Sequence, residues 1–421
     1  MIALPAFGMG TAAIGNLYRV VGETEARATI AAALAAGIRY FDTAPHYGHG
    51  LAERRLGETL AELDPGAAAI VSTKVGRLLE PTTERGERHG FVDADPFEPV
   101  FDYSADGIRR SVDASRLRLR RDRIDILLAH DLGVQTHGDA HRRHLSDFLD
   151  GGYDAMVTLR NAGEVGAIGI GVNEIAICND LLDRVDLDVI LLAGRYTLLD
   201  RSAAALLDRC HERGVRVIVG GPYNSGILAR DPTEVDPGKA HYDYAAPSAD
   251  IVDRTLALAG ICARFGVALP AAALQFPLRH AAVACVVAGV AGETEVNDLV
   301  ARAAVPIPKE LWMALGDKEA RAAPEQLILL HPDDNVLICV SPIAAGDILT
   351  VSGGTIPSRE GITVGHKVAR AHLKAGDQVI KYGAPIGSMT ADAATGEWVH
   401  MHNMKSDYIA SHTRSTISEP S

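Results

Sequence analysis

The sequence predicts an α/β chain: a closed (β/α)8 barrel of the TIM type, followed by a small, mostly β domain. Three observations predict this. From the start to about Leu315, eight short apolar runs alternate with amphipathic segments. These runs are rich in Val, Ile and Ala and lack polar alternation, as parallel strands covered on both faces do. Eight such units over roughly 250 to 320 residues suit a closed barrel better than an open sheet. An open doubly wound sheet would want Gly-x-Gly-x-x-Gly after its first strand. Here Gly8-Met9-Gly10 runs into Thr11-Ala12-Ala13, and Gly169-Ile170-Gly171 falls inside a strand. The third observation is a change of texture after Gly316–Glu325, beyond which short strands punctuated by Gly and Pro replace helical periods.

In chain order, the expected strands of the barrel are Ala6–Thr11, Gly37–Asp42, Ala69–Lys74, Ile124–His130, Ala167–Val172, Val189–Gly194, Val215–Gly220 and Val283–Gly289. Helical periodicity separates them at Thr24–Ala36, which Gly37 closes, and at Glu53–Leu63, Ala105–Leu119 and Tyr153–Ala162. It recurs at Ala203–Arg213, Ala249–Phe265 and Thr294–Ala303. Residues 1–316 are thus one domain. Residues 317–325 are polar and small and read as a linker. In 326–412 the expected strands are Gln326–Leu330, Asn335–Val340, Ile348–Val351, Gly365–Ala369, Gln378–Tyr382 and Trp398–His402. The tail 413–421 reads as disordered.

Composition narrows the class. The net charge of −13 gives no electrostatic reason to expect nucleic acid or an anionic membrane as partner. The 5 cysteines form no C-x-x-C pair, so core thiols in a reducing, cytoplasmic setting are expected. No signal peptide and no transmembrane run of ~18 apolar residues is apparent.

In such a barrel, polar residues at the C-terminal ends of strands face the active site. Those ends carry Asp42, Lys74, His130 with Asp131, Asn173, Arg195 with Tyr196, and Pro222-Tyr223-Asn224. An unpaired ammonium at the end of an apolar strand is costly, so Lys74 is expected to pair with Asp42. Pro45 and Gly48 turn the chain, which puts Tyr47 on a loop just past Asp42. A lysine beside a phenol favours phenolate, so Tyr47 is expected to titrate below its usual ~10 and to act as a general acid or base. His130 is placed to hydrogen-bond a substrate oxygen or the phenol. For each residue alone, a satisfied polar group at a strand end is the bland reading. Their convergence on one rim argues against it.

These residues resemble the aldo-keto reductase family. Phe41-Asp42-Thr43-Ala44-Pro45-His46-Tyr47-Gly48 followed by Ala52-Glu53-Arg54-Arg55-Leu56-Gly57 resembles its first signature. Ser72-Thr73-Lys74-Val75-Gly76 and Ala129-His130-Asp131 supply the remaining positions. The resemblance implies a barrel binding NAD(P) without a Rossmann fold, with Asp42, Tyr47, Lys74 and His130 as its catalytic tetrad. Within the family the chain is most similar to aldose 1-dehydrogenases acting on L-fucose and D-threo-aldoses, and to pyridoxal dehydrogenase. It further implies that Asn173 holds the nicotinamide carboxamide and that Tyr196 stacks on the ring. Many relatives have Ser-Asn in place of Asn173-Glu174 and Gln in place of Ala193, so that grip is altered. Pro222, Asn224, Gly289, Gly292, Glu295 and Asp298 complete the implied dinucleotide site. The loop Gly289–Glu295 has no cation for a 2′-phosphate and two acids, so NAD is expected over NADP.

The second domain resembles the SAF-type (β-clip-like) N-terminal domain of altronate and galactarate dehydratases. Asp333-Asp334-Asn335-Val336, Gly365-His366-Lys367-Val368-Ala369, Lys381–Gly387 and His400-Met401-His402-Asn403 carry the likeness. If His400 and His402 lie on one strand they share a face and could share a divalent metal or an anionic substrate. Surface histidines are the bland alternative. His366, Lys367, His400 and His402 would form one wall of a site completed by a dehydratase large subunit. The leading expectation is an aldose dehydrogenase, oxidising C1 to the lactone, fused to a sugar-acid dehydratase small-subunit module. The alternatives are a general carbonyl reductase or pyridoxal dehydrogenase with an accessory module, and a non-catalytic scaffold.

Overall fold

The computed structural model describes residues 2–232, 240–243, 245–316, 326–351 and 354–407. The expected linker 317–325 and tail 413–421 lie outside the described residues. The chain divides into two compact units, Met1–Ala320 and Arg321–Ser421.

The first unit is the barrel. Its strands are β1 Phe7–Gly10, β2 Tyr40–Asp42, β3 Ile70–Val75, β6 Ile124–His130, β7 Val165–Val172, β8 Val189–Ala193, β9 Arg216–Gly220 and β10 Val283–Gly289. They close in the order β1-β10-β9-β8-β7-β6-β3-β2, every pair parallel. All eight expected strands form, each within a few residues of its expected bounds. Between β3 and β6 lies an antiparallel hairpin, β4 Arg77–Pro81 and β5 Phe97–Phe101. Helices also form at Ile175–Leu182, Leu269–Gln275 and Lys309–Ala314.

Strand alternation explains which side chains reach the interior. Tyr40, Ile126, Leu128, Ala167, Val189, Leu191, Ile218 and Cys285 fill the barrel, while Phe41, Leu127, Ala129 and Val217 pack outward under the helices. Asp42 follows Tyr40 by two residues, and His130 follows Leu128 by two, so both continue an inward row. Ser72 and Lys74 form the inward row of β3, whereas outward Thr73 donates to buried Glu53 at 2.5 Å. Gly171 makes room for the long lysine: a Cβ there would sit 3.2 Å from Lys74 Cε. All 5 cysteines are buried free thiols. Among the described residues no single helix is long and apolar enough to cross a membrane.

The second unit is built from short strands: β11 Leu327–Ile328, β12 Val336–Cys339, β13 Ile348–Val351, β14 Gly354–Pro357, β15 Lys367–Ala369, β16 Gln378–Lys381, β17 Ala384–Met389, β18 Trp398–Val399 and β19 Met404–Lys405. They form sheets ordered β11-β12-β15-β18, β13-β14 and β16-β17-β19. A turn repeats within it. Ala345-Gly346-Asp347 and Ala375-Gly376-Asp377 each place Gly at φ near +90° (92° and 94°). In each, the Asp carboxylate accepts the backbone N–H three residues back at 2.8 Å. Each copy of this turn has its own apolar cluster, around Ile343, Leu349 and Ile362 and around Leu373, Val379 and Ala393.

Candidate active site

Lys74 is the centre of the site. Its Nζ donates to Asp42 Oδ2 at 2.8 Å, to the Thr43 carbonyl at 2.8 Å and to Tyr47 Oη at 3.1 Å. Lys74 is 2% exposed and Asp42 4%. Burial pulls the ammonium down, but Asp42 and Tyr47 outweigh it and hold Lys74 above its ordinary value. Behind Asp42 the chain of bonds continues. Ser72 Oγ donates to Asp42 Oδ1 at 2.7 Å and so accepts a hydrogen bond from Tyr40 Oη, 2.8 Å away. Neither Ser72 nor Tyr40 stood out in the sequence, and only barrel closure brings them to Asp42.

His130 is set edge-on to Tyr47, ring centres 6.2 Å apart. Burial, then the charges of Arg77 and Lys74, hold its imidazole well below the usual range, so it is neutral near pH 7. Its Nε2 lies 3.3 Å from Asp131 Oδ2, and Arg77 Nη2 reaches the same oxygen at 2.5 Å. Tyr103 donates to the His130 carbonyl at 2.5 Å. Arg77 and Tyr103 bracket the β4–β5 hairpin, which therefore braces His130 from both sides. A cavity of about 470 Å³ is lined by Tyr47, Lys74, His130, Asp131, His46 and His89, and also by Gln135, Asn173 and Glu174.

The expected dinucleotide residues are divided by the structure. Asn173 lines the cavity beside Tyr47, its carbonyl accepting from Arg195 Nε at 2.8 Å. Tyr196 does not reach it. Only 3% exposed, its ring packs on Phe276 (5.2 Å) and edge-on against His280 (5.7 Å), so it is not among the cavity's lining residues. Asn224 is also turned inward: Oδ1 accepts from Thr197 Oγ1 at 2.5 Å and Nδ2 donates to the Gly194 carbonyl at 3.3 Å. It ties two loops together, and Pro222 is buried beside it. Gly289, Glu295 and Asp298 do line one cavity, of about 710 Å³. Gly292 is the N-cap of helix Glu293–Ala303 next to it.

This second cavity fits an extended anionic cofactor. An added Cβ at Gly289 or Gly292 would meet nothing within 4 Å, so backbone is open to a ligand there. The eleven-residue helix begins at that point with its N–H groups free to meet phosphate. Two cations that the loop sequence did not disclose also line it, Arg230 and Arg302. Arg302 Nη2 lies 3.4 Å from Asp298 Oδ2, and its guanidinium sits 5.7 Å from the Tyr223 ring centre. Glu295 is occupied in part by the Ala291 N–H at 2.7 Å.

In the second unit, the expected histidine strand is shorter than its sequence implied. β18 ends at Val399 and His400–Asn403 is a turn, closed by Met404 N–H to the His400 carbonyl at 2.8 Å. His400 and His402 therefore do not share a strand face. His400 stacks flat on Trp398 (5.2 Å, 5°), and His402 packs against the same indole. Trp398 Nε1 donates to His366 Nδ1 at 3.2 Å. Lys367 is opposite Val399, and Trp398 opposite Val368, so Lys367 points away from this cluster. Among the described residues no group of three or more His, Cys, Asp or Glu side chains could hold a metal ion. Of the expected four-residue wall, His366, His400 and His402 gather around Trp398 and Lys367 stands apart.

Comparison with known proteins places both units. Residues 6–319 match the model of the aldo/keto reductase family. Residues 325–407 match that of the altronate/galactarate dehydratase SAF domain. The chain is similar to pyridoxal 4-dehydrogenase of Microbacterium luteolum, 42% identical over 75% of this chain and 94% of that one. It is also similar to D-threo-aldose 1-dehydrogenase of a Pseudomonas species, 40% identical over 77% of this chain and 96% of that one. The second unit is similar to altronate dehydratase of Bacillus subtilis, 37% identical over 20% of this chain and only 17% of the relative.

Proposed function

The chain belongs to the aldo-keto reductase family, and from that premise we propose that its barrel oxidises an aldose at C1 to the lactone, using NAD. The observation that carries this is the buried Asp42–Lys74 pair with the Tyr47 oxygen 3.1 Å from its ammonium. The ammonium favours the phenolate, which takes the proton from the C1 hydroxyl. Neutral His130 donates an N–H to the same oxygen and positions it. Asp42, anchored by Ser72, keeps Lys74 charged and in place. Nicotinamide, when bound, accepts the hydride that leaves C1. Asn173 would hold its carboxamide, and Arg230, Arg302 and the Gly289–Gly292 backbone would hold the rest of the dinucleotide. An aldose is favoured because the cavity around Tyr47 is lined by Asp131, Gln135, Asn173 and Glu174, groups suited to several hydroxyls. The pyridoxal and aldose dehydrogenase relatives are nearly equally similar, so an aromatic aldehyde is the second reading.

Tyr47→Phe tests the assignment. Aldose oxidation should fall by at least ~10³-fold while NAD affinity changes little, since the phenol acts only on the reacting oxygen. Wild-type-like turnover would remove Tyr47 from the mechanism. NAD is preferred over NADP in this reading because Arg302 is already paired with Asp298, and Glu295 adds negative charge. Asp298→Ala should free Arg302 and raise kcat/KM with NADP relative to NAD by about 10-fold. An unchanged ratio would show that Arg302 does not meet the adenosine ribose.

The second unit is read as a dehydratase small-subunit module. It corresponds to 17% of the altronate dehydratase length, so the remaining active site would come from a large-subunit partner acting on the opened lactone. The full chain alone should form no 2-keto-3-deoxy acid from aldonates in the presence of divalent metals. Addition of a large subunit should yield it, and product without that subunit would refute the partner requirement.

A further inference from the structure

We propose that Asp131 determines substrate choice by accepting a hydrogen bond from the hydroxyl at C2, the carbon next to the one oxidised. This rests on the aldose reading above. Three observations converge. Asp131 lines the same cavity as Tyr47 and His130. Its Oδ2 is 3.3 Å from His130 Nε2 and is held by Arg77 at 2.5 Å, whereas Oδ1 has no hydrogen-bond partner among the described residues. Its backbone has φ 49°, in the left-handed region that Asp enters more readily than most side chains, and its N–H donates to the Gly171 carbonyl at 3.0 Å. The turn at the end of this barrel strand thus sets a carboxylate in the cavity of the reacting centre.

The chemistry selects C2. His130 Nε2 is the donor to the C1 oxygen, and a carboxylate beside that nitrogen is within reach of the oxygens adjacent to it. Two stand next to the C1 oxygen in a cyclic aldose: the ring oxygen and the C2 hydroxyl. The ring oxygen has no proton and is repelled by a carboxylate, and only the C2 hydroxyl can donate. Arg77 fixes Oδ2, so the acceptor is pre-set rather than recruited by substrate. Glu174 is the rival carboxylate. Its Oε1 already accepts the Gln135 N–H at 2.9 Å, and it fills the space of a missing Cβ at Gly133, 1.9 Å from that position. It is tied to the loop after β6, whereas Asp131 is tied to His130 and Arg77 beside the reacting centre. Burial, resisted by Arg77 and Lys74, also pushes the Asp131 carboxyl above its ordinary value, as expected of a carboxylate awaiting a donor.

The test uses the full-length protein with L-fucose, L-galactose and their 2-deoxy analogues. The readout is the ratio of kcat/KM for each sugar to that of its 2-deoxy form, which cancels general damage to the site. A hydrogen bond to a charged acceptor makes this ratio about 10 to 100 in the wild type. In Asp131→Ala it should collapse to about 3 or less, and in the isosteric Asp131→Asn fall to an intermediate value. If Asp131→Ala does not fold, Asp131→Asn alone decides. A variant ratio equal to the wild-type one overturns the proposal. Reduction of 4-nitrobenzaldehyde, run in parallel, reports an intact tetrad. A wild type that reduces this aldehyde but oxidises no aldose removes the aldose reading and this proposal with it. A working aldose dehydrogenase with an unchanged ratio removes only the role of Asp131.

Discussion

At the scale of residues, Lys74 shows how a buried cation is made tolerable: three oxygens meet it, one of them anionic. Removing a link in that chain should therefore be felt. Ser72→Ala leaves Asp42 Oδ1 and Tyr40 Oη without their partner, a cost of about 1–3 kcal/mol that urea unfolding would read. Turnover should drop several-fold with it, and Ser72→Thr, which keeps the hydroxyl, should restore part of both. An Ala variant as stable and active as the wild type would show that Asp42 needs only Lys74. Asp42, Lys74 and His130 were legible in the sequence because each ends an apolar run and burial demands partners for them. Ser72 was not, because a serine inside a strand carries no such demand. The packing of Tyr196 on Phe276 was hidden for a related reason: past a strand end, the sequence does not say which way a ring turns.

At the scale of elements, the β4–β5 hairpin converts a long loop into a brace. Gly76, at φ +97°, starts it, and a Cβ there would lie 2.1 Å from the Tyr103 ring. Gly76→Ala must displace the ring whose hydroxyl holds the His130 carbonyl. We expect lower thermal stability and a fall in kcat/KM of about 10-fold, because a small misplacement of a catalytic group is costly. Normal kinetics in a less stable variant would uncouple the hairpin from His130. The alternating βα units were readable from periodicity alone. The hairpin was not, since Leu78–Tyr103 is polar and has no clean alternation. The cations at the second cavity were equally hidden: Arg302 lies one helical turn beyond Asp298, outside the Gly289–Glu295 loop.

At the scale of the molecule, buried neutral histidines make stability depend on pH. Burial first, aided by nearby cations, lowers His46 to about 2 and His49 to about 4, against an ordinary 6.5. The unfolded chain takes up protons at these sites below pH 6.5 while the folded chain does not. Stability is thus fully present above that pH and declines as pH falls from about 6.5, toward 4 for His49 and on toward 2 for His46. Calorimetry at pH 7.5 and 5.0 should show a lower Tm at the acid value, and an equal or higher Tm would contradict the burial of these rings. Barrel closure carries a different consequence, one for synthesis. β1 pairs with β10, Phe7 opposite Val286, so the first strand made waits for the last. At about 10 residues per second the nascent chain, its β1 paired on one side with β2, would carry an open β1 edge on the other for on the order of half a minute. Through that interval both β1 and the newest strand are open edges, able to pair with a neighbouring chain on the same messenger.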